Sequence, residues 1–204
     1  GLSLHTGLVY YSNVRVVDNA GNTSDIASSD GQLVAPTLSF GLSPSSLTFS
    51  HVNSSNSYTD SEPTTLTTST NAYGGYTIRA VATSNLSGTA GTIPNFSSGS
   101  YASPNTWPGS TVGFGYTSSD TLVQGTNIFQ ASPCPGGGTL TAPGCFAPYS
   151  QTGTGDIIAD NTVGASGTSI SGEQFTITSR VTTSPTAQAG LYTTVLIYNA
   201  AAVY

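Results

Sequence analysis

Few residues in this 204-residue chain are of a type that does chemistry, and they are scattered. His5 and His51 are the only histidines. A serine nucleophile needs a base held against its hydroxyl; His5 lies near the N-terminus, His51 lies in a Ser/Asn-rich stretch, and no Gly-x-Ser-x-Gly elbow occurs. Glycoside hydrolysis needs two carboxylates flanking one bond. Glu62, Asp120, Asp156, Asp160 and Glu173 could supply them, yet each falls in a turn or edge-strand context where a capping or solvated role is expected. The spacings Asp18/Asp25/Asp30 and Asp156/Asp160 match no calcium loop. Gly113-x-Gly115 opens no helix, so a phosphate loop lacks its context. The sequence therefore predicts a protein that is not an enzyme and uses no cofactor or metal.

What chemistry remains concerns cross-links and sugars. Cys134 and Cys145 lie in a Pro/Gly-rich segment, too few for a structural zinc site and well placed for a disulfide that staples one loop. Closing so short a loop contributes on the order of 3 kcal/mol. Sequons occur at Asn22, Asn53, Asn85 and Asn95, of which the last three fall in expected loops and are the expected acceptors. Trp107, Tyr101 and Tyr116 stand near long loops and could stack on sugar rings, although ordinary packing is the commoner role of such rings.

Composition narrows the partners. Charged residues are 6% of the chain, there is no Lys, and Arg15, Arg79 and Arg180 are the only strong cations against a net charge of −6. With so few cations, nucleic acid has no electrostatic purchase. No apolar run reaches the length that spans a bilayer. Hydrophobic residues make up 36%, including 11 Tyr and 7 Phe in alternating runs, which indicates a folded β protein with a hydroxyl-coated surface rather than a disordered Ser/Thr tract. The lack of Met and the expected disulfide point to a processed, extracellular product whose signal peptide is gone.

The elements that must position these residues are strands, since no segment shows a 3.6-residue period. Tyr10 to Asp18 alternates, with Tyr10, Val14 and Val16 on one face and Tyr11, Asn13, Arg15 and Val17 on the other. Asn19-Ala20-Gly21-Asn22 is a turn, and Leu33-Val34 closes a hairpin. After a boundary at Ala35-Pro36, strands are predicted at 38–42, 46–49, 64–70, 76–82 and 112–116, with a weak pair at 122–123 and 128–129, and further strands at 156–159, 173–181 and 191–198. Residues 51–63 read as a loop, 83–107 as a long irregular connection, and 156–159 as an edge strand. In 191–198 apolar groups fall on both faces, which predicts a strand buried on both sides.

Residues Tyr10-Tyr11, Val14-Arg15-Val16, Asp18-Asn19-Ala20-Gly21-Asn22-Thr23-Ser24 and Ser28-Ser29-Asp30-Gly31 resemble the last two strands, F and G, of a fibronectin type III-like domain, with Tyr10 as the tyrosine-corner residue. The strands that would precede them do not occur in this sequence. Thr68-Ser69-Thr70-Asn71-Ala72-Tyr73-Gly74-Gly75-Tyr76-Thr77-Ile78, Phe175-Thr176-Ile177 and Ala189-Gly190-Leu191-Tyr192-Thr193-Thr194 are similar to bacterial cell-surface β-sandwich proteins, the WxL-type domains and the TasA/camelysin-like fibre subunits. The WxL tripeptide is absent, because Pro108-Gly109 follows Trp107. These resemblances imply an antiparallel β-sandwich, jelly-roll or Ig-like, over 35–204, preceded by a partial fibronectin III-like hairpin over 1–34.

An incomplete hairpin with a buried-type face must find cover. The expected function is a structural subunit of an extracellular cell-surface filament or layer, pilus-like and glycosylated, in which strands of one copy complete the sheet of another. Tyr10, Val14, Val16, Leu196 and Tyr198 are the expected subunit interface. The alternative is a secreted adhesin or carbohydrate-binding module that meets a cell-surface glycan through Trp107, Tyr101 and Tyr116.

Overall fold

The alternating runs form strands and the Gly/Asn/Pro clusters form turns in a computed structural model that describes residues 4–49, 59–163, 165 and 167–204. Among these residues there is no helix, and the chain is all-β with antiparallel strand pairing. His51 and Asn53 lie outside the described residues.

The first unit is a long two-stranded ribbon. Strand β1 (Val9–Tyr10) pairs with β4 (Gln32–Leu33), β2 (Asn13–Val14) pairs with β3 (Ala27–Ser28), and a bridge joins Val17 to Thr23. The tip is held by Asp18, whose Oδ1 accepts from the Ala20 and Asn22 amides at 2.9 and 2.8 Å while Oδ2 accepts from Asn22 Nδ2 at 2.9 Å. Those bonds, the Asn22 side chain first, hold the Asp18 carboxyl below its ordinary pKa. Gly21 takes φ +85° there, a backbone region that a Cβ disfavours.

The remaining strands are β5 (Leu38–Ser43), β6 (Thr59–Thr70), β7 (Tyr76–Ala82), β8 (Leu86–Gly88), β9 (Gly91–Ile93), β10 (Gly113–Ser118), β11 (Ala147–Pro148), β12 (Asp156–Asn161), β13 (Ile170–Thr182) and β14 (Leu196–Ala202). They build a five-stranded sheet in the order β11-β10-β13-β6-β5 and a three-stranded sheet in the order β12-β7-β14, with β8 and β9 as a small hairpin. Leu66 of β6, Ile78 and Ala80 of β7, Phe114 and Tyr116 of β10, Ile158 of β12 and Ile177 of β13 belong to one hydrophobic cluster. Both sheets thus feed a single core, as two packed layers do.

Several expectations change. Residues 46–49 form no strand, and the 122–129 pair reduces to one bridge, Val123 to Thr126. Residues 59–63, expected as loop, belong to β6, because β13 is long enough to pair with them. Pro63 is tolerated there because β5 ends opposite Thr65, so β6 has no neighbour on that side to receive an N–H. Strand β14 begins at Leu196 rather than Leu191. It is an edge strand with one face against the core, so the expectation of burial on both sides is wrong.

Candidate functional site: an uncovered ribbon and an apolar cleft

The ribbon is rooted at one end of the two-sheet body. The Tyr10 hydroxyl accepts from the His5 amide at 2.6 Å, five residues upstream, a contact of the kind that a tyrosine corner makes. Thr6 Oγ1 donates to the Asn71 carbonyl, and the His5 ring stands edge-on to Tyr73 with centroids 4.5 Å apart. Asn71 also holds the linker, accepting from the Thr37 amide at 2.7 Å and donating to the Ala35 carbonyl at 3.2 Å. Beyond this root the ribbon leaves its apolar side chains in water. Val14 is 59% exposed and Val16 62%, and Leu8, Val9, Tyr11, Val17, Ile26 and Leu33 are exposed as well. Tyr10 is half-buried. Scattered exposed apolar residues are ordinary, and here eight of them fall on one short ribbon.

A second apolar feature opens between the two sheets. A cleft of about 490 Å³ is lined by Leu42 at the end of β5, Phe49, Thr64 of β6, Leu86, and the segment from Gly190 into β14. Its rim residues Leu42, Leu191 and Val195 are exposed, Leu191 by 79%. Among the described residues, none that lines it is charged.

The structure redistributes the residues predicted from sequence. Leu196 and Tyr198 are not on an outer surface: they point inward from β14 and pack on the core, while Val195 and Ile197 face out. Burial raises the Tyr198 hydroxyl above its ordinary pKa. Leu191, Val195 and Ile197, which share one face in the alternation of 191–198 and are expected from sequence in a buried strand, are exposed.

Trp107, Tyr101 and Tyr116 form no open platform. Trp107 is 8% exposed, stacked on Phe96 at 4.2 Å and edge-on to Phe146 at 5.2 Å, with Nε1 donating to Thr182 Oγ1 at 2.9 Å and the Thr111 carbonyl at 3.1 Å. Arg180 lies over the Phe146 ring at 4.3 Å, an energetically favourable place for a cation among aromatics. Tyr116 is buried in the core beside Tyr149, and the half-buried Tyr101 donates its hydroxyl to the Ile157 carbonyl at 2.7 Å. These rings pack because remote segments meet on them, which no local pattern announces.

The sequons also sort differently from expectation. Asn95 is tied inward, its Nδ2 donating to the Tyr149 carbonyl at 2.7 Å, so it is a poor acceptor. Asn85 is half-buried and accepts from Gln151 at 2.6 Å, whereas Asn22 at the ribbon tip is exposed. Cys134 and Cys145 form the expected disulfide, with Cα atoms 5.7 Å apart.

The carboxylates serve as braces. Asp120 Oδ1 accepts from the Leu122 amide at 2.8 Å and Oδ2 from the Asp160 amide at 2.9 Å. Asp160 Oδ1 accepts from the Gln124 amide at 2.7 Å, and Glu173 accepts from Tyr76 at 2.6 Å and from Asn161. Burial is the main cause that raises the Asp120 pKa, with Asp160 and Glu173 adding repulsion and the two amides opposing it. Burial also raises Asp156, against the pull of Arg79. Both raised groups bind protons more tightly folded than unfolded, so their contribution to stability is fully present below the ordinary carboxylate pKa. It is lost as pH rises through the raised values. Asp18, with its lowered pKa, acts in the opposite sense, so the expected result is a difference between proteins: Asp120→Asn should lower the denaturant midpoint, and lower it more near pH 4 than at pH 7.5. A loss that is larger at pH 7.5 than at pH 4 would contradict the assignment.

The fold and site together define an antiparallel all-β, disulfide-bonded chain that carries an uncovered apolar ribbon and an apolar inter-sheet cleft. No family model, curated protein or solved structure matches it.

Proposed function

We propose that the protein is a structural subunit of an extracellular surface filament or layer, assembled head-to-tail by strand complementation between copies. The observation that carries this reading is the ribbon, whose apolar side chains have no cover within the described chain. A soluble monomer rarely leaves such a surface in water, and an open two-stranded ribbon is a ready partner for another chain. The disulfide favours an oxidising, extracellular setting. Residues 1–34 are in this reading the F and G strands of a fibronectin III-like domain, with Tyr10 making a contact of the tyrosine-corner kind, and the body over 35–204 is a surface β-sandwich resembling the WxL-type and TasA/camelysin-like proteins. In this reading the chain acts as material rather than as a catalyst. The glycan-binding alternative loses its platform with the burial of Trp107 and Tyr116.

The test is the state of the full chain in solution. Sedimentation velocity and negative-stain microscopy at rising concentration are expected to show filaments or an open-ended series of larger species. A monodisperse monomer at all concentrations would overturn the proposal.

A further inference from the structure

The ribbon root and the cleft lie at opposite poles of the body. Strand β6 runs from Thr64, in the cleft wall, to Thr70, next to the Asn71 that anchors Thr6 and Thr37. The six steps from Thr64 to Thr70 span about 20 Å at the usual rise of ~3.3 Å each. Strand β14 runs the same way, from Leu196 at the cleft to Val203, whose amide donates to the Gly75 carbonyl at 2.9 Å beside the anchor. We infer that the cleft is the receptor for the ribbon of a second copy of this chain. This rests on the filament reading above and adds the acceptor site to it.

Three observations favour that occupant. Among the described residues the cleft lining carries no charge, and neither do Tyr10, Val14 and Val16, so an apolar neutral face suits it better than a charged peptide or an anion does. Strands β5 and β14 flank the cleft, β5 with its last residues and β14 with its first, and among the described residues each is paired on one side only, so they offer free backbone groups to an incoming strand. The rim residues Leu42, Leu191 and Val195 stay in water unless something covers them, and the ribbon is the large apolar element of this chain that also lacks cover. A contact joining one pole to the opposite pole is heterologous and does not close, so it propagates as a filament.

The test is cross-linking between two cysteine variants of the full chain; the two native cysteines are already paired. Val16→Cys in one preparation is mixed with tagged Val195→Cys, at the cleft, or with tagged Leu38→Cys, at the ribbon pole, and oxidised gently. The Val16–Val195 product is expected to exceed the Val16–Leu38 product at least tenfold, and the double variant Val16→Cys/Val195→Cys should give a covalent ladder. Equal yields, or an intramolecular bond in the double variant without a ladder, would overturn the inference. Val195→Arg, at an exposed position, should leave the unfolding midpoint unchanged and reduce the sedimentable fraction at least tenfold; unchanged assembly would overturn it too. If filaments form but Val16 does not select Val195, the cleft assignment falls and the filament reading stands. If no assembly and no intermolecular product form, both fall. A cleft that retains an apolar small molecule, with assembly indifferent to Val195→Arg, would assign it to that ligand instead.

Discussion

Trp107→Ala is expected to lower the unfolding free energy by about 3–5 kcal/mol, the cost of truncating a large buried aromatic. The ring is held on all sides: Phe96 stacks on one face, Phe146 meets its edge, and Arg180 sits 6.0 Å from its centroid. The backbone beneath is also fitted to it, since a Cβ at Gly115 would lie 3.1 Å from Trp107 Cζ3 and 2.9 Å from Phe96 Cβ. Alanine leaves a cavity that these neighbours cannot collapse into, because the Phe96 amide donates a hydrogen bond of 2.8 Å to the Phe114 carbonyl and holds that backbone in place. It also leaves Thr182 Oγ1 and the Thr111 carbonyl without the indole donor. Trp107→Phe keeps an aromatic ring to stack on Phe96 but loses the donor and part of the ring volume, so a loss smaller than that of alanine, of about 1–3 kcal/mol, is expected. Urea denaturation of the three proteins measures both. A stability unchanged in Trp107→Ala would mean that the ring is not buried as described, and would return it to the surface as a glycan platform.

What the sequence conveys follows from how local the cause is. Tyr76 to Ala82 and Phe175 to Val181 alternate because one face of each strand meets the core, and a two-residue period records that directly. The ribbon tip is equally legible, because Asp18, Gly21 and Asn22 make its turn by themselves. Thr59 to Pro63 is polar and joins a strand only because β13 extends far enough to pair with it. The same holds for burial. Tyr192 to Tyr198 has apolar residues on both faces, and only the packing of Leu196, Tyr198 and Ala200 on the core shows which face is dry. The cleft gathers residues from the segments 42–49, 86–93 and 190–198, so no single stretch carries its signature. The ribbon was visible as an incomplete unit; the cleft needed the strand order.

Val14→Asp combined with Val16→Asp is expected to abolish assembly while leaving the monomer as stable as before. Both side chains are exposed in the isolated chain, so their replacement removes little packing, and surface changes of this kind stay within about 0.5 kcal/mol. In the assembly both must leave water. Burial of a valine contributes roughly 1.5 kcal/mol or more, so losing two removes about 3 kcal/mol, and every 1.4 kcal/mol is tenfold in affinity. The concentration needed for assembly should rise at least a hundredfold, and more once the desolvation of two carboxylates is added. Val17→Asp, on the opposite ribbon face, separates a specific contact from general polarity and should have the smaller effect. Salt distinguishes the two causes that remain. Repulsion between acidic ribbons, which already carry Asp18, Asp25 and Asp30, would be screened and assembly restored at high ionic strength. Lost apolar burial would not be, so assembly by the double variant should stay absent in 1 M salt, where the Debye length is about 3 Å. Full assembly by a stable double variant would remove the ribbon from the interface. A loss of monomer stability would show instead that Val14 and Val16 pack within their own chain.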